Sequence, residues 1–447
     1  MVNGIVQPPT PNNEPVMGFL PGSHERIELQ AELAKQMAEV IEIPCIINGE
    51  EVWTGNIVEQ VMPHNHGHVL AKVHLAGEQE VHDAINASLE AHKAWSTMPW
   101  EARGAIFLKA ATMLAGERRQ EINASTMLNQ SKTCHQAEID SACELIDFWR
   151  FNVDYARAIY EDLQPPISPD GVWNQSEIRP LEGFVFSITP FNFTSIAGNL
   201  PSCAAIMGNT GVWKPSRNSY VSNYRIMKLM MDAGLPAGVI NFIPGKASVV
   251  GDICMSHPDL AGIHFTGSTG VFRKLWRDIA NNLENLRSYP RIVGETGGKD
   301  FIVAHPECNE EALIVALLRG SFEFQGQKCV LLQVVLTSLP QYGDGLGRSI
   351  VTKLERSPWE MSLISQTISE QSSTRNPSTI LQATSTERKQ TAVVPLSQVE
   401  TTMTLLVTSL NQQQFFVKTR CMNQWLKKSL DQYYQFTYTK TVNMRIS

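Results

Sequence analysis

The chain has 447 residues, of which 43% are hydrophobic and 18% charged, and its formal net charge is −7 at pH 7. This length predicts two or three domains, and this composition is typical of a soluble globular protein. The negative charge and the scattered arginines and lysines exclude a large basic surface for nucleic acid or an anionic membrane. No apolar run approaches the roughly 18 residues that a membrane-spanning helix needs.

The first 22 residues are rich in proline and asparagine, and we expect them to be poorly ordered. They contain no cationic stretch followed by an apolar one and no arginine-rich stretch, so we expect neither a secretory signal nor a mitochondrial presequence. The eight cysteines form no C-x-x-C pair. Sparse cysteines in a chain of this size indicate a reducing compartment rather than a disulfide framework.

The region before residue 165 is predicted to be mainly helical. Asn48-Gly49 is a strong two-residue turn signal, so residues 43–53 are predicted to form a β-hairpin. Apolar residues at helical spacing predict four helices, at residues 25–41, 78–95, 100–125 and 134–160. Pro165 and Pro166 then interrupt the pattern.

From Leu181 onward, strands and helices alternate in the prediction. The predicted strands are 183–188, 210–214, 239–243 and 261–265, and the predicted helices are 194–207, 220–233 and 268–286. Such alternation indicates βαβ units and a parallel sheet. Ligands of such sheets bind at the carboxyl ends of the strands.

The last part of the chain has a different composition. Residues 330–447 are rich in serine, threonine and glutamine, and no glycine occurs between Arg348 and Ser447. Neither the strand period nor the helix period is sustained there. We expect an irregular or disordered tail.

Three motifs follow predicted strands and could bind a substrate or cofactor. Asn192, in Pro-Phe-Asn-Phe, could donate a hydrogen bond to an oxyanion, although turns also favour asparagine. Lys214, in Lys-Pro-Ser, could bind ribose hydroxyls, although most lysines are simply exposed. Gly267, in Phe-Thr-Gly-Ser-Thr-Gly, precedes a helix whose free N–H groups suit a pyrophosphate. The last motif is not the G-x-G-x-x-G fingerprint.

Two further motifs carry reactive groups. Glu295 precedes Thr-Gly-Gly-Lys and is a candidate general base, with a solvated carboxylate as the alternative. Cys329 follows Gly-Gln-Lys and is a candidate thiolate nucleophile, with a small buried side chain as the alternative. His64, His66 and His68 could bind zinc on a strand, but Asn65 and Gly67 favour a turn, and we expect no metal site.

Taken in order, these five motifs resemble the aldehyde dehydrogenase family. The longer stretches Leu-Glu-Gly-Phe-Val-Phe-Ser-Ile-Thr-Pro-Phe-Asn-Phe, His-Phe-Thr-Gly-Ser-Thr-Gly-Val-Phe and Phe-Glu-Phe-Gln-Gly-Gln-Lys-Cys resemble its glutamate-γ-semialdehyde (1-pyrroline-5-carboxylate) group. The resemblance covers about residues 40–329. It implies an α/β fold with a Rossmann-type NAD domain and a truncated catalytic domain. It also implies NAD-dependent oxidation of L-glutamate γ-semialdehyde to L-glutamate in proline degradation.

The resemblance also implies roles for individual residues. Cys329 would be the nucleophile, Asn192 an oxyanion donor and Glu295 the general base for thioester hydrolysis. Lys214 would bind the adenosine ribose of NAD. The remaining residues of the cofactor cleft would be Thr189, Gly267, Ser268, Thr269, Gly270 and Val271.

The implied organisation comprises an N-terminal extension (residues 1–40), an NAD-binding domain with N-terminal helices (41–290), the start of the catalytic domain (291–329) and the tail (330–447). The family's compartment would be the mitochondrial matrix, with the cytoplasm as the alternative. Its members are homo-oligomers, and the oligomerisation segment is missing here.

The sequence departs from the family at two places. Arg217 stands where relatives often have an acidic residue, which indicates either a solvated arginine or a site for a 2′-phosphate. The second half of the family's catalytic domain is not recognisable after Val330, which suggests a changed reading frame or an alternative splice product. The alternative function is therefore an inactive fragment that at most binds a dinucleotide. A third possibility, an interaction protein acting through the tail, has no positive support.

Overall fold

The computed structural model describes residues 7–298, 300–304, 308–328, 332–337 and 404–405. The chain divides into two compact units, Met1–Gly297 and Gly298–Ser447. No helix among these residues is both long and apolar enough to cross a membrane.

The first unit begins with a helix and two small β structures. Helix α1 spans His24–Ala38. Five strands follow it: β1 (Ile41–Ile43), β2 (Cys45–Ile47), β3 (Glu50–Val52), β4 (Ile57–Met62) and β5 (Asn65–His74). Strands β2 and β3 form the predicted hairpin. Asn48 and Gly49 have φ angles of 52° and 79°, as a turn with two left-handed residues requires.

His66 and His68 lie on a strand and His64 lies in the turn before it, so the expected turn at Asn65 and Gly67 is wrong. Strand β5 starts at Asn65 and pairs with β1 and β4 in a three-stranded sheet. Asn65 pairs with Met62 across the turn at Pro63 and His64, so the chain reverses just before the two residues that favour a turn.

Helices fill the next part of the first unit. They are α2 (Glu78–Trp95), α3 (Trp100–Ala115), α4 (Arg119–Gln130), α5 (Cys134–Ala137) and α6 (Glu144–Asp162), with a π-helical segment at Glu138–Cys143 between the last two. The prediction of one helix over residues 100–125 is wrong. Gly116 leaves the helical conformation, with φ −110° and ψ −111°, and ends α3.

The remainder of the first unit alternates strands and helices, as predicted. The strands are β6 (Phe184–Ile188), β7 (Thr210–Lys214), β8 (Ile240–Phe242), β9 (Leu260–Thr266) and β10 (Arg291–Glu295). The helices are α7 (Thr194–Ile206), α8 (Tyr220–Ala233), α9 (Ala247–Ser256) and α10 (Thr269–Asn282), and a 3₁₀ turn follows at Leu283–Asn285.

These strands and the β2–β3 hairpin form a seven-stranded sheet in the order β10-β9-β6-β7-β8-β2-β3. The first five are parallel, and β2 runs antiparallel to β8. Strand β6 therefore lies between β7 and β9, and the strand order reverses there. A crevice forms at such a switch point, at the carboxyl ends of the strands.

Both faces of the sheet are buried at its central parallel strands β6, β7, β8 and β9, whereas the edge strands β10 and β3 are largely exposed. Val212 and Trp213 are adjacent in β7 but belong to different core clusters. Consecutive strand residues point to opposite faces, so each face has its own apolar layer. Trp213 packs with Trp149 and Phe242 in one cluster, and Val212 with Phe184 and Phe186 in the other.

The N-terminal segment is anchored, which contradicts the expectation of poor order for the part between Asn13 and Phe19. Glu14 pairs with Arg119 and Arg150, and the Met17 N–H donates to a Glu138 carboxylate oxygen at 2.9 Å. Arg119 is 1% exposed. A buried guanidinium needs carboxylate partners, and composition alone does not disclose that the N-terminal segment supplies one of them.

The second unit contains a small sheet and one helix. The strands are β11 (Asp300–Ala304), β12 (Leu332–Thr337) and β13 (Thr404–Leu405), in the order β11-β12-β13. Helix α11 (Glu310–Phe322) and a 3₁₀ turn (Glu323–Gly326) lie between β11 and β12 in the chain. Strand β12 falls in the tail that was predicted to be irregular. The rest of residues 330–447, apart from β13, lies outside the described residues.

Gly183, just before β6, lies in close contact with the backbone at Asp259. Its φ is +129°, and an added Cβ would lie 2.1 Å from the Asp259 carbonyl oxygen. We expect Gly183→Ala to lower the free energy of unfolding by about 1–3 kcal/mol. Gly251→Ala is the control because nothing lies within 4 Å of its added Cβ and alanine favours the helix. Equal stability of the two variants in urea denaturation would contradict the assigned backbone geometry.

Candidate active site

The predicted site residues of the first unit meet at one edge of the parallel sheet. Strands β6, β7, β9 and β10 all end there, and the register places Ile188 beside Lys214 and Thr266 beside Glu295. The loops after these ends carry Thr189, Asn192, Gly267 and Ser268, and the first turn of α10 carries Thr269, Gly270 and Val271. The expected juxtaposition follows from the parallel pairing.

Thr189 is held between β6 and β7. Its N–H donates to the Lys214 carbonyl at 3.3 Å, and its hydroxyl accepts a hydrogen bond from the Trp213 indole at 2.9 Å. Both side chains are buried. Trp213 therefore fixes the first loop of the site. The sequence motifs did not single out Trp213. Its position directly before Lys214 was the only feature that could have identified it.

Lys214 is buried, unlike most lysines. It is 9% exposed, and its Nζ donates to the Pro215 carbonyl at 3.1 Å. Burial lowers the pKa of Lys214 to about 8. Within the part of the chain that the structure covers, its amine has no carboxylate partner. An amine kept in such a place at a cost in stability is a candidate ligand-binding group.

The loop from β9 to α10 is shaped to receive an anion. Gly267 donates its N–H to the Glu295 carbonyl at 3.1 Å, and an added Cβ there would lie 2.7 Å from the Phe265 ring. Ser268 caps α10 by accepting a hydrogen bond from Val271 N–H at 3.3 Å. The N–H groups of the first helical turn have no partner within the helix and suit a phosphate. Thr269 and Gly270 open that turn.

Of the two predicted reactive residues, Glu295 and Cys329, only Glu295 lies among the described residues. Glu295 is the last residue of β10, and its side chain is exposed. Cys329, the predicted nucleophile, lies outside the described residues. The pairing of Glu295 with Cys329 therefore stays a prediction.

Asn192 lies in a loop supported by a buried ion pair. It is half-buried, and the following residue, Phe193, is 4% exposed and precedes α7. The Lys132 ammonium lies 4.4 Å from the centroid of the Phe193 ring and 2.6 Å from an Asp140 carboxylate oxygen. Sequence reasoning missed Lys132 and Asp140 because neither belongs to a recognisable motif.

The described residues contain no group of three or more histidine, cysteine or acidic side chains arranged to hold a metal ion. His64 Nδ1 instead forms a hydrogen bond with the Ser131 hydroxyl at 2.8 Å.

The chain matches the family model described as "Aldehyde dehydrogenase family" over residues 53–356. Among curated proteins, it is 47% identical to "Delta-1-pyrroline-5-carboxylate dehydrogenase" of Agaricus bisporus over 338 residues, which are 75% of this chain and 62% of that protein. It is 46% identical to the mitochondrial delta-1-pyrroline-5-carboxylate dehydrogenase of Homo sapiens, covering 71% of this chain and 56% of that protein. The chain thus spans about three fifths of the length of these relatives.

Among solved structures, the fold is similar to the Delta-pyrroline-5-carboxylate dehydrogenase from Mycobacterium tuberculosis bound with NAD. The TM-score is 0.75 and the identity 46%, over 79% of this chain and 65% of that one. A 1-pyrroline-5-carboxylate dehydrogenase from Thermus with bound NAD has a TM-score of 0.73 and 27% identity, over 78% and 67% of the two chains. The family match covers more than half of the chain and agrees with the strand order and the loops at the sheet edge. This chain belongs to the aldehyde dehydrogenase family.

Proposed function

We propose that the chain carries out the NAD-dependent oxidation of L-glutamate γ-semialdehyde to L-glutamate, a step of proline degradation. The observation that carries this proposal is the sheet edge of the first unit, where the buried Lys214 follows β7 and the start of α10 follows β9 at the same end of the parallel strands. The names of the relatives, delta-1-pyrroline-5-carboxylate dehydrogenases, support this substrate class. The partner is therefore a small aldehyde.

The residues at the sheet edge fit NAD. Lys214 offers an ammonium without a counter-charge to the adenosine ribose. Gly267 packs against the Phe265 ring with no room for a Cβ, and the start of α10 offers N–H groups to a pyrophosphate. NAD, when bound, accepts the hydride that leaves the oxidised carbon.

In the proposed reaction, the Cys329 thiolate attacks the aldehyde carbonyl and forms a thiohemiacetal. The Asn192 side-chain amide donates a hydrogen bond to the oxygen as its negative charge develops. Loss of the hydride leaves a thioester. Glu295 then removes a proton from a water molecule, which attacks the thioester and releases the acid and the thiol.

A second candidate function is dinucleotide binding without turnover. It is favoured by the end of the family match at residue 356, which leaves residues 357–447 without similarity to the family model. Both candidates require the same cofactor edge in the first unit. They differ in whether the chain completes the surroundings of Cys329.

The test is formation of NADH by the purified full chain, followed by absorbance with NAD and glutamate semialdehyde. We expect turnover in the unchanged chain and none in Cys329→Ala, because only the thiolate forms the covalent intermediate. NAD binding, measured separately by calorimetry, should be the same in both. NAD binding without turnover would support the second candidate, and no NAD binding would exclude both.

We also propose the mitochondrial matrix as the compartment. The support is that several relatives, including those of Homo sapiens and Dictyostelium discoideum, are named as mitochondrial. Imaging of the tagged full-length gene product would test it, and a cytoplasmic signal would contradict it.

A further inference from the structure

Residues 13–19, which we call the N-terminal strap, lie against helix α6 and the π-helical segment that precedes it. The Glu14 N–H donates to an Asp147 carboxylate oxygen at 2.7 Å, and the Met17 N–H donates to Glu138 at 2.9 Å. Both partners lie more than 100 residues further along the chain. These hydrogen bonds therefore hold the strap against a distant part of the first unit.

The strap contributes one carboxylate to a buried charge cluster. Glu14 pairs with Arg119 and Arg150, and Arg119 also pairs with Glu138. The side chains of Arg119, Glu138 and Glu14 are 2%, 0% and 11% exposed. Arg119 Nη2 also donates to the Pro15 carbonyl at 2.8 Å. Removing the Glu14 carboxylate would leave this buried guanidinium with a single carboxylate partner.

The π-helical segment connects the charge cluster to the candidate active site. Its first residue is Glu138, and its third residue, Asp140, forms the buried ion pair with Lys132. The Lys132 ammonium lies over the ring of Phe193, which directly follows Asn192. π-Helical turns are rare and occur frequently at functional sites. One such turn here contacts the strap at one residue and the support of the Asn192 loop at another.

A second contact joins the same segment to the start of α7. Glu144, directly after the π-helical segment, accepts a hydrogen bond from the Ser195 hydroxyl at 2.8 Å. The segment is also braced internally, since Asn123 donates to Glu138 at 2.7 Å and accepts from the Ser141 hydroxyl at 3.1 Å. These contacts form a contiguous buried network, and packed interiors transmit displacements along such networks.

We propose that Glu14 is a positioning residue for the candidate active site: it fixes the strap and the π-helical segment, and this segment fixes the loop that presents Asn192. The proposal rests on the proposed function for the role of Asn192 and adds a residue remote from the sheet edge. Without the Glu14 carboxylate, Arg119 needs a new partner, so the strap and Glu138 shift. A displacement of about 1 Å at Asn192 misaligns its hydrogen bond to the oxyanion.

The first measurement is the opening of the strap. Cys143, the last residue of the π-helical segment, is 4% exposed, and its Sγ lies 3.4 Å from Arg119 Nη2 and 3.9 Å from the Pro15 carbonyl oxygen. Burial raises the pKa of Cys143 to about 12, so a thiol reagent should label it only when the strap opens. Glu14→Ala should accelerate this labelling about tenfold. Cys254, buried on α9, is the internal control and should be labelled as slowly as in the unchanged chain.

The second measurement is hydrogen exchange beside the Asn192 loop. The Ala197 N–H donates to the Phe193 carbonyl at 3.1 Å, so the amides of residues 193–198 report on the end of this loop. They should exchange about tenfold faster in Glu14→Ala than in the unchanged chain. The amides of residues 267–271, on the loop after β9, should not change.

Two further variants and one assay separate positioning from general stability. Glu14→Gln keeps an acceptor without the charge and should have an intermediate effect. Glu161→Ala removes a carboxylate that pairs with Arg157 near the surface of α6, and should change neither measurement. In the NADH assay, Glu14→Ala should lower kcat about tenfold and leave the Kd of NAD unchanged, since Asn192 acts on charge that develops in the transition state.

The outcomes distinguish this inference from the proposed function. Faster labelling of Cys143 without faster exchange at residues 193–198 would overturn the inference, as would no change in either measurement. Equal acceleration of labelling at Cys254 would also overturn it, because the loss of stability would then be global. Labelling and exchange need no turnover, so a chain that forms no NADH contradicts the proposed function and leaves these two measurements to decide the role of Glu14.

Discussion

Asp140→Ala is expected to lower the free energy of unfolding by about 3–5 kcal/mol. The side chains of Asp140 and Lys132 are both 0% exposed and lie 2.6 Å apart. Removing the carboxylate leaves an ammonium in a low-dielectric interior without its charge partner. Breaking a buried ion pair by removing one partner costs more than the pair itself contributes.

The control is a pair of the same residue types on the surface. Lys274 and Asp278 lie 2.5 Å apart on α10, with side chains 60% and 34% exposed. Asp278→Ala should change the stability by no more than about 0.5 kcal/mol. Replacing both buried charges, in Lys132→Met with Asp140→Leu, should cost less than Asp140→Ala alone. Denaturant unfolding measures all three variants, and similar losses for Asp140→Ala and Asp278→Ala would refute the role of burial.

The ion pair also concerns the candidate site. Lys132 lies over the Phe193 ring, and Phe193 follows Asn192 in the loop after β6. Asp140→Ala should therefore disturb this loop as well as the global stability. Hydrogen exchange of the backbone amides of residues 191–195 would detect the change. The amides of the loop after β9 should be unaffected below the unfolding transition.

Lys214→Met is expected to stabilise the chain at pH 7 by about 1–3 kcal/mol. The pKa of Lys214 is lowered by burial from 10.5 to about 8. Below the folded-state pKa, the amine must be charged in a site that disfavours the charge, so the native state carries the whole penalty. Methionine has a similar length and no charge, and it loses only the hydrogen bond to the Pro215 carbonyl.

The sign of the pH dependence follows from proton binding. Between about pH 8 and pH 10.5, the unfolded chain binds more protons at this lysine than the native chain does. The contribution of Lys214 to stability therefore rises with pH across this window, and the penalty disappears above it. The advantage of Lys214→Met over the unchanged chain should be largest below pH 8 and vanish near pH 10.5.

The measurement is urea denaturation of both proteins at several pH values, with the difference between them taken at each. Lys72→Met, at an exposed position on β5, is the matched control and should show no such dependence. If the difference in the free energy of unfolding between Lys214→Met and the unchanged chain were constant from pH 7 to pH 10, the Lys214 amine would be solvated in the native state. Lys214→Met should also bind NAD more weakly, because methionine cannot donate a hydrogen bond to the adenosine ribose.

Local sequence was sufficient for much of the fold. Periodicity placed α2 and α8 with the observed bounds, and the Asn48-Gly49 turn placed the β2–β3 hairpin. Gly234, with a φ of 107°, ends α8 as expected of a glycine at a helix terminus. Prediction failed at Gly116, where one helix becomes two, and at the start of β5, where the turn lies at Pro63 and His64 rather than at Asn65 and Gly67.

By itself, the sequence determined the order of strands and helices, the family motifs and the types of side chain that follow each strand. These depend on residues close together in the chain, where periodicity and turn propensity act. Only the tertiary structure decided that Lys214 is buried and that Lys132 and Asp140 support the Asn192 loop. Burial and charge pairing depend on contacts between distant segments, and these follow from the strand order of the sheet.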